Sequence, residues 1–108
     1  MPKYLLVASY TPEGAKGLLK DGGSKRKKMA TKTLESIGGS VEAFYFAFGS
    51  DDAYVIYDAP DNASSAAASL VVAASGAIKA RTIPLLTPED IDDAAKKSKD
   101  IDYTPPGK

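Results

Sequence analysis

The stretch from Phe44 to Asp58 contains two apolar segments joined across a short polar turn at residues 49–52. Because side chains alternate across a strand, Phe44 and Phe46 share one face and Tyr45 lies on the other. Phe48 continues the first set, and Val41, Ala43 and Ala47 continue the second. Both faces are thus apolar, yet a chain of 108 residues has few helices with which to cover a sheet. We therefore expect the second face to meet another copy of the protein.

Composition excludes several classes of function. Lys plus Arg and Asp plus Glu each total 14, and this zero net charge argues against a nucleic-acid or membrane-surface partner. The chain has no cysteine and no histidine, which excludes thiol or imidazole catalysis and thiolate or imidazole metal sites. We expect no metal and no cofactor. No apolar run is long enough to span a bilayer and no signal-peptide pattern is present, so a cytoplasmic location is expected.

Local signals predict alternating strands and helices. Strands are expected at residues 3–10, at 40–59 as a hairpin, and at 77–85. The first helix should begin at Pro12 with Thr11 as its cap, break at Gly22-Gly23, and resume with Ser24 as a second cap. A later helix should begin with Asp61 or Asn62 as its cap, and the last should begin at Pro88 with Thr87 as its cap. For the helix after Asp61, an inward face is predicted at Ala63, Ala67, Leu70 and Ala74.

This order predicts an α+β, ferredoxin-like βαββαβ fold: a four-stranded antiparallel sheet with helices on one face and an extra C-terminal helix. Two such sheets packed face to face would form a dimeric α+β barrel or a higher oligomer. The domain is expected to span residues 1–98. Residues 99–108 are expected to form an extended tail, which either lies across a neighbouring subunit or stays mobile, with Tyr103 as its apolar anchor.

Several landmarks resemble the GYD-domain family over roughly residues 3–95. They are Gly38-Gly39, the aromatic strand ending in Gly49, Asp52, Ala59-Pro60-Asp61, Gly76 and Thr82. The resemblance implies a ferredoxin-like fold and oligomeric assembly, with no established activity. The family is named for a Gly-Tyr-Asp motif at the hairpin. Here the run is Gly49-Ser50-Asp51-Asp52, so that Asp51 stands where the tyrosine is expected.

Charged residues supply the first candidates for a ligand site. Asp51 and Asp52 are adjacent carboxylates, but neighbours on a strand point to opposite faces, and aspartates also serve hairpin turns locally. Lys79 and Arg81 share a face of the last strand and could recognise an anion at the barrel rim. The alternative is that they only protect an edge strand from unwanted pairing.

Six of the nine aromatic residues are tyrosines. Tyr10 is a candidate for lining a ligand cavity, since a phenol joins an apolar ring to a polar tip. Packing in the core or at an interface explains tyrosines equally well. The dense basic run from Ser24 to Lys28 is interpreted as a solvated helix face, because its cations point in all directions and no aromatic residue is interleaved.

Two functions of different class are compatible with these patterns. The first is a non-enzymatic homo-oligomeric module that binds a small molecule. The alternative is a cofactor-independent isomerase, lyase or monooxygenase acting on a small organic molecule inside the barrel, an analogy at the level of fold. In that case Asp52 would act as base, Tyr45 or Tyr54 as acid, and Arg81 would bind an anionic substrate.

Overall fold

The computed structural model describes all residues from Met1 to Lys108. Its strands are β1 (Lys3–Tyr10), β2 (Ser40–Phe46), β3 (Ala53–Asp58) and β4 (Ile78–Leu85). Its helices are α1 (Pro12–Asp21), α2 (Gly23–Ser36), α3 (Asn62–Ala74) and α4 (Pro88–Ser98). The predicted element order is confirmed, including the break at Gly22, whose φ of +82° is readily adopted by glycine.

The four strands form one antiparallel sheet in the order β2-β3-β1-β4. Helix α2 packs against β2 and α3 packs against β4, both on the same face of the sheet. We call this the helix face and the opposite side the outer face. This is the ferredoxin-like arrangement, and it confirms the predicted fold class.

Tyrosines dominate the core on the helix face. Tyr4 and Tyr57 are each 2% exposed and stack with ring centroids 5.3 Å apart. Their hydroxyls are satisfied by α3: Tyr4 donates to Asn62 Oδ1 at 2.6 Å, and Tyr57 Oη lies 2.5 Å from Ser65 Oγ. Two polar groups are buried with little loss because each has a partner. These bonds fix the position of α3 over the sheet.

The inward face predicted for α3 is wrong. The buried residues are Ser65 and Ala68, whereas Leu70 is 71% exposed. Ala63, Ala67 and Ala74 are exposed as well. Nearly every residue of this helix is small or apolar, so hydrophobic periodicity does not distinguish its faces. The bond between Ser65 and Tyr57, and a second between Ser69 and Thr82 at 3.1 Å, turn the serines toward the sheet instead.

A β-bulge at Glu42 changes the predicted alternation along β2. Val41 lies opposite Tyr57 and Ala43 opposite Ile56, so the register shifts by one residue between them. Simple alternation assigns Val41 to the same face as Tyr45, but the extra residue returns it to the helix face, where it packs against the core. Phe44 lies on the helix face opposite Val55 and Tyr45 on the outer face opposite Tyr54, so the alternation predicted for these two residues is confirmed.

Three of the predicted helix caps are confirmed and one is wrong. Thr11, Asp61 and Thr87 each accept a bond from a backbone N–H in the first turn of α1, α3 and α4. The Ser64 amide and hydroxyl hold the pKa of the Asp61 carboxyl below its usual range. Ser24 is not a cap, because α2 begins at Gly23 without any side-chain capping bond.

Loss of the buried hydroxyl pair should measurably weaken the fold. Ser65→Ala leaves the Tyr57 hydroxyl buried without a partner, and we expect the free energy of unfolding to fall by about 1–3 kcal/mol. The double variant Ser65→Ala with Tyr57→Phe removes both polar groups and should recover part of that loss. Urea denaturation measures the free energy of unfolding of the unchanged protein, of Ser65→Ala, of Tyr57→Phe and of the double variant. These four values form a double-mutant cycle. An additive double variant would show that the pair is not coupled.

The C-terminal arm, defined as residues 86–108, lies outside the core. Every one of its residues is exposed, including those of α4. The radius of gyration is 17.3 Å, whereas a compact domain of this length is expected near 13 Å. The tail was predicted to start at residue 99, but the continuously exposed segment already starts at residue 86. Helix α4 contributes no buried side chain to the domain.

Candidate functional site

The outer face of the sheet carries an apolar belt built from two cross-strand rows. The first row, from β2 to β4, is Ala43, Ile56, Leu5 and Ile83. The second row is Tyr45, Tyr54, Val7 and Arg81. The apolar belt consists of the seven residues of these rows other than Arg81. Val7 is 3% exposed between its neighbours Tyr54 and Arg81, whereas Tyr45 is 72% exposed at the edge strand. No helix covers this face.

Charged clusters flank the belt at both ends. At one end Lys3 Nζ lies 2.6 Å from Glu42 Oε1 and 3.0 Å from Asp58 Oδ1, and these bonds raise the pKa of the Lys3 ammonium. At the other end Asp51 accepts a bond from Ser9 Oγ at 3.1 Å and lies 3.9 Å from Arg81. Both ends carry both signs of charge, and carboxylates outnumber cations only at the Lys3 end.

The two hairpin aspartates diverge. Asp51 bonds to Ser9 and Arg81 on the outer face, while Asp52 Oδ2 accepts a bond from the Tyr10 backbone N–H at 2.8 Å. The Asp52 N–H donates to the Ala8 carbonyl, and the Asp52 carbonyl accepts a bond from the Ala47 N–H. These bonds extend the pairing of the strands by one residue before the start of β3. The carboxylate and the backbone of Asp52 therefore have a structural role, whereas Asp51 lies beside Arg81 on the outer face.

The three residues of the catalytic hypothesis do not converge within one subunit. Tyr45 and Tyr54 lie opposite each other in the register of the outer face. Asp52 lines a shallow groove on the helix face together with Phe46 and Ala47. A general base must lie within hydrogen-bond reach of the proton it removes. In this arrangement Asp52 and the two tyrosines form no acid–base set.

Lys79 and Arg81 are placed on the edge strand β4, as the sequence predicts. Lys79 lies opposite Ser9 and Arg81 opposite Val7, so both side chains share the outer face with Asp51. Arg81 is 66% exposed and its contact with Asp51 is long. Lys79, Arg81 and Asp51 therefore gather at one end of the belt, whereas Tyr10 and Asp52 lie elsewhere.

A cleft on the helix face separates α2 from α3. Its floor is formed by β1 and β3, and its volume is about 70 Å³. The lining is almost entirely apolar: Leu6, Ala8, Phe44, Ala53, Val55 and Tyr57 from the sheet, with Ala30, Leu34, Ala68 and Val72 from the helices. Tyr10 borders the cleft, and burial raises the pKa of its phenol, with Arg26 opposing this effect and Asp52 adding to it.

Arg26 is the residue that sequence reasoning missed. The basic run was interpreted as solvated, yet Arg26 is half-buried and is the only charged residue that lines the cleft. Its guanidinium forms neither a hydrogen bond nor an ion pair with the protein. Helical spacing could have found it, because Arg26, Ala30, Thr33 and Leu34 recur on one face of α2.

The structure contains neither a cluster of metal-ligating side chains nor a helix that could span a membrane. Histidine and cysteine are absent, and acidic side chains nowhere gather in a group of three that could hold a metal ion. None of the four helices combines the length and the apolar character needed to cross a membrane. The cytoplasmic location and the lack of a nucleic-acid partner stay predictions.

Taken together, the βαββαβ order, the sheet with helices on one face and the bare outer face define a ferredoxin-like α+β protein. The sequence model of the GYD domain matches residues 4–95. This match covers most of the chain, and the protein belongs to the GYD-domain family. No curated protein and no solved structure matched the chain.

Proposed function

We propose that this protein is a homo-oligomeric module that associates through the apolar belt of its outer face and binds a small molecule. The observation that carries the first part is the belt itself: seven apolar residues on a face that no helix covers. Exposed apolar patches bordered by polar residues are typical of protein interfaces. The charged clusters around Lys3 and Arg81 border this patch at both ends.

The exposed surface is also larger than that of a compact monomer. A folded monomer of 11.3 kDa is expected to expose about 5,700 Å². This chain exposes 7,629 Å², and only 11 of its 108 residues are buried. The difference of about 1,900 Å² includes the surface of the C-terminal arm, all of whose residues are exposed. A second copy on the belt would remove part of this excess.

The polar end of the belt is the part of the outer face suited to a ligand. Asp51, Lys79 and Arg81 gather there, and Tyr54 lies across Val7 from Arg81. In a face-to-face dimer this end borders the buried interface, where a guanidinium binds an anion more strongly than in open water. The C-terminal arm, with the exposed side chains of Ile101 and Tyr103, is proposed to lie across the neighbouring subunit.

Analytical ultracentrifugation of the purified chain tests the association. We expect a species of at least twice 11.3 kDa at micromolar concentration, since burial of the belt favours association by the hydrophobic effect. Native mass spectrometry of the same sample reports the number of subunits and any ligand retained. A lone subunit that stays monodisperse at these concentrations would contradict the proposal.

A further inference from the structure

The cleft between α2 and α3 has the composition of a binding site for a small anion with an apolar body. Its walls are mainly aliphatic and aromatic, and the serine and threonine hydroxyls of its lining are already used inside the protein. Ser69 Oγ pairs with Thr82 Oγ1 at 3.1 Å, and Thr33 Oγ1 donates to the Met29 carbonyl at 3.2 Å. Arg26 has unused donors and is the only charged residue in the lining.

Arg26 is unusual among the basic residues of α2. Lys25 pairs with Asp21 at 3.3 Å, and Lys27 and Lys28 are exposed to water. Arg26 is half-buried beside apolar side chains, where a charge without a partner is less well solvated than at the surface. Its planar guanidinium offers two parallel N–H groups, a geometry that matches a carboxylate. The Asp52 carboxylate is bonded to the Tyr10 amide and forms no ion pair with Arg26.

Tyr10 supplies a second polar group at the same place. Its ring lines the cleft, and its hydroxyl forms no hydrogen bond within the protein. Arg26 lines the same cleft, and its positive charge opposes the rise that burial causes in the pKa of this phenol. A protonated phenol donates a hydrogen bond, as does a guanidinium. One oxyanion could therefore accept bonds from both groups while its apolar part enters the cleft.

The volume of the cleft limits the size of the ligand that it can hold. A cavity of about 70 Å³ holds several atoms, since a single water needs only roughly 10–15 Å³ by a comparable measure. Drug-sized ligands occupy pockets of roughly 300 Å³ or more. A short alkyl chain or the edge of a small ring therefore fits, and any longer part of the ligand would emerge toward solvent.

We propose that the cleft between α2 and α3 binds a small monocarboxylate, with Arg26 and Tyr10 holding the carboxylate and the apolar lining holding the short hydrocarbon part. This site lies on the opposite face of the sheet from the belt. It does not depend on self-association, and it is separate from the polar end formed by Asp51, Lys79 and Arg81.

Isothermal titration calorimetry of the full chain with hexanoate tests the site. We expect saturable binding of one hexanoate per subunit, with much weaker binding of 1-hexanol, which lacks the charge, and of acetate, which lacks the chain. Arg26→Gln should weaken hexanoate binding about 10- to 100-fold, the range expected for losing charge-assisted hydrogen bonds. Lys28→Gln removes the same charge from the exposed side of α2 and should leave the affinity unchanged.

A second variant addresses the apolar part of the site. Ala30→Leu places extra methyl groups in the cleft on a helix that tolerates leucine, and it should abolish hexanoate binding without lowering the melting temperature. Circular dichroism confirms that each variant is folded. Absence of saturable hexanoate binding, equal affinity for 1-hexanol, or equal losses in Arg26→Gln and Lys28→Gln would each overturn the proposal.

Sedimentation separates this test from that of the proposed function. Ala30→Leu and Arg26→Gln should leave the subunit number unchanged. If either variant alters the oligomeric mass, the cleft serves a second copy of the chain, and the carboxylate proposal is overturned. Conversely, a monomeric protein that binds hexanoate with the expected dependence on Arg26 would support the cleft and contradict only the self-association.

Discussion

Replacing Tyr45 by lysine is expected to convert the proposed oligomer into single subunits. Tyr45 is 72% exposed in the isolated subunit and lies on the edge strand β2, so Tyr45→Lys removes little packing from the fold itself. At a belt interface, however, each subunit would bury an unpaired ammonium group, which costs roughly 3 kcal/mol or more. We expect association to weaken at least about 100-fold, and sedimentation should report the mass of one chain.

Leu70→Lys is the matched control for this change. Leu70 is 71% exposed, close to the value for Tyr45, but it lies on α3, on the helix side of the sheet. The same charge is added at a position of similar exposure outside the belt, so the oligomeric mass should not change. An oligomer that survives Tyr45→Lys, or one that Leu70→Lys dissociates, would show that the subunits do not associate through the belt.

Gly14→Ala is expected to be the most destabilising small substitution in the chain. A Cβ at Gly14 would lie 2.0 Å from the Ala77 carbonyl oxygen and 3.0 Å from its carbon. That carbonyl accepts bonds from the Thr11 amide at 3.0 Å and from Thr11 Oγ1 at 3.1 Å, so it has little freedom to retreat. We expect the free energy of unfolding to fall by about 2–4 kcal/mol, from overpacking and from the weakened bonds.

Gly17→Ala on the same helix gives the opposite expectation. No atom lies within 4 Å of the Cβ that would be added at Gly17, and this residue is exposed in the middle of α1. Alanine there should stabilise the fold by up to about 1 kcal/mol, because glycine loses more conformational entropy in a helix. Urea denaturation at one fixed protein concentration compares the free energies of unfolding of Gly14→Ala and Gly17→Ala. Equal effects would show that the contact between Gly14 and Ala77 is not tight.

Local chemistry explains why so much of the fold was predictable. Thr11, Asp61 and Thr87 were identified as helix caps because a capping side chain bonds to an amide only two or three residues away. The break at Gly22-Gly23 follows from the high cost of paired glycines inside a helix. With the strand order of the ferredoxin-like fold, these signals also predicted a bare outer face.

The candidate site was predicted less well, because it depends on contacts between distant segments. Lys79 and Arg81 were correctly paired on one face, since strand alternation is local. Asp52 was considered as a base, yet the fold uses its carboxylate to bond the end of β1. Arg26 was assigned to a solvated run, since only the position of α2 over the sheet shows that it borders a cleft.

Two further details required the tertiary structure. The bulge at Glu42 depends on how β2 pairs with β3, and it reverses the face assigned to Val41. The orientation of α3 depends on hydrogen bonds from Ser65 and Ser69 to the sheet, which outweigh an apolar pattern that is nearly uniform around the helix.

By itself the sequence determined the order of the elements, the helix ends and the fold class, because each depends on neighbours within a few residues or on the alternation of a single strand. Only the tertiary structure decided which side of α3 is buried, where Arg26 lies and which groups the hairpin aspartates contact. These features depend on backbone register and on contacts between segments far apart in the chain, and no short stretch of residues encodes them.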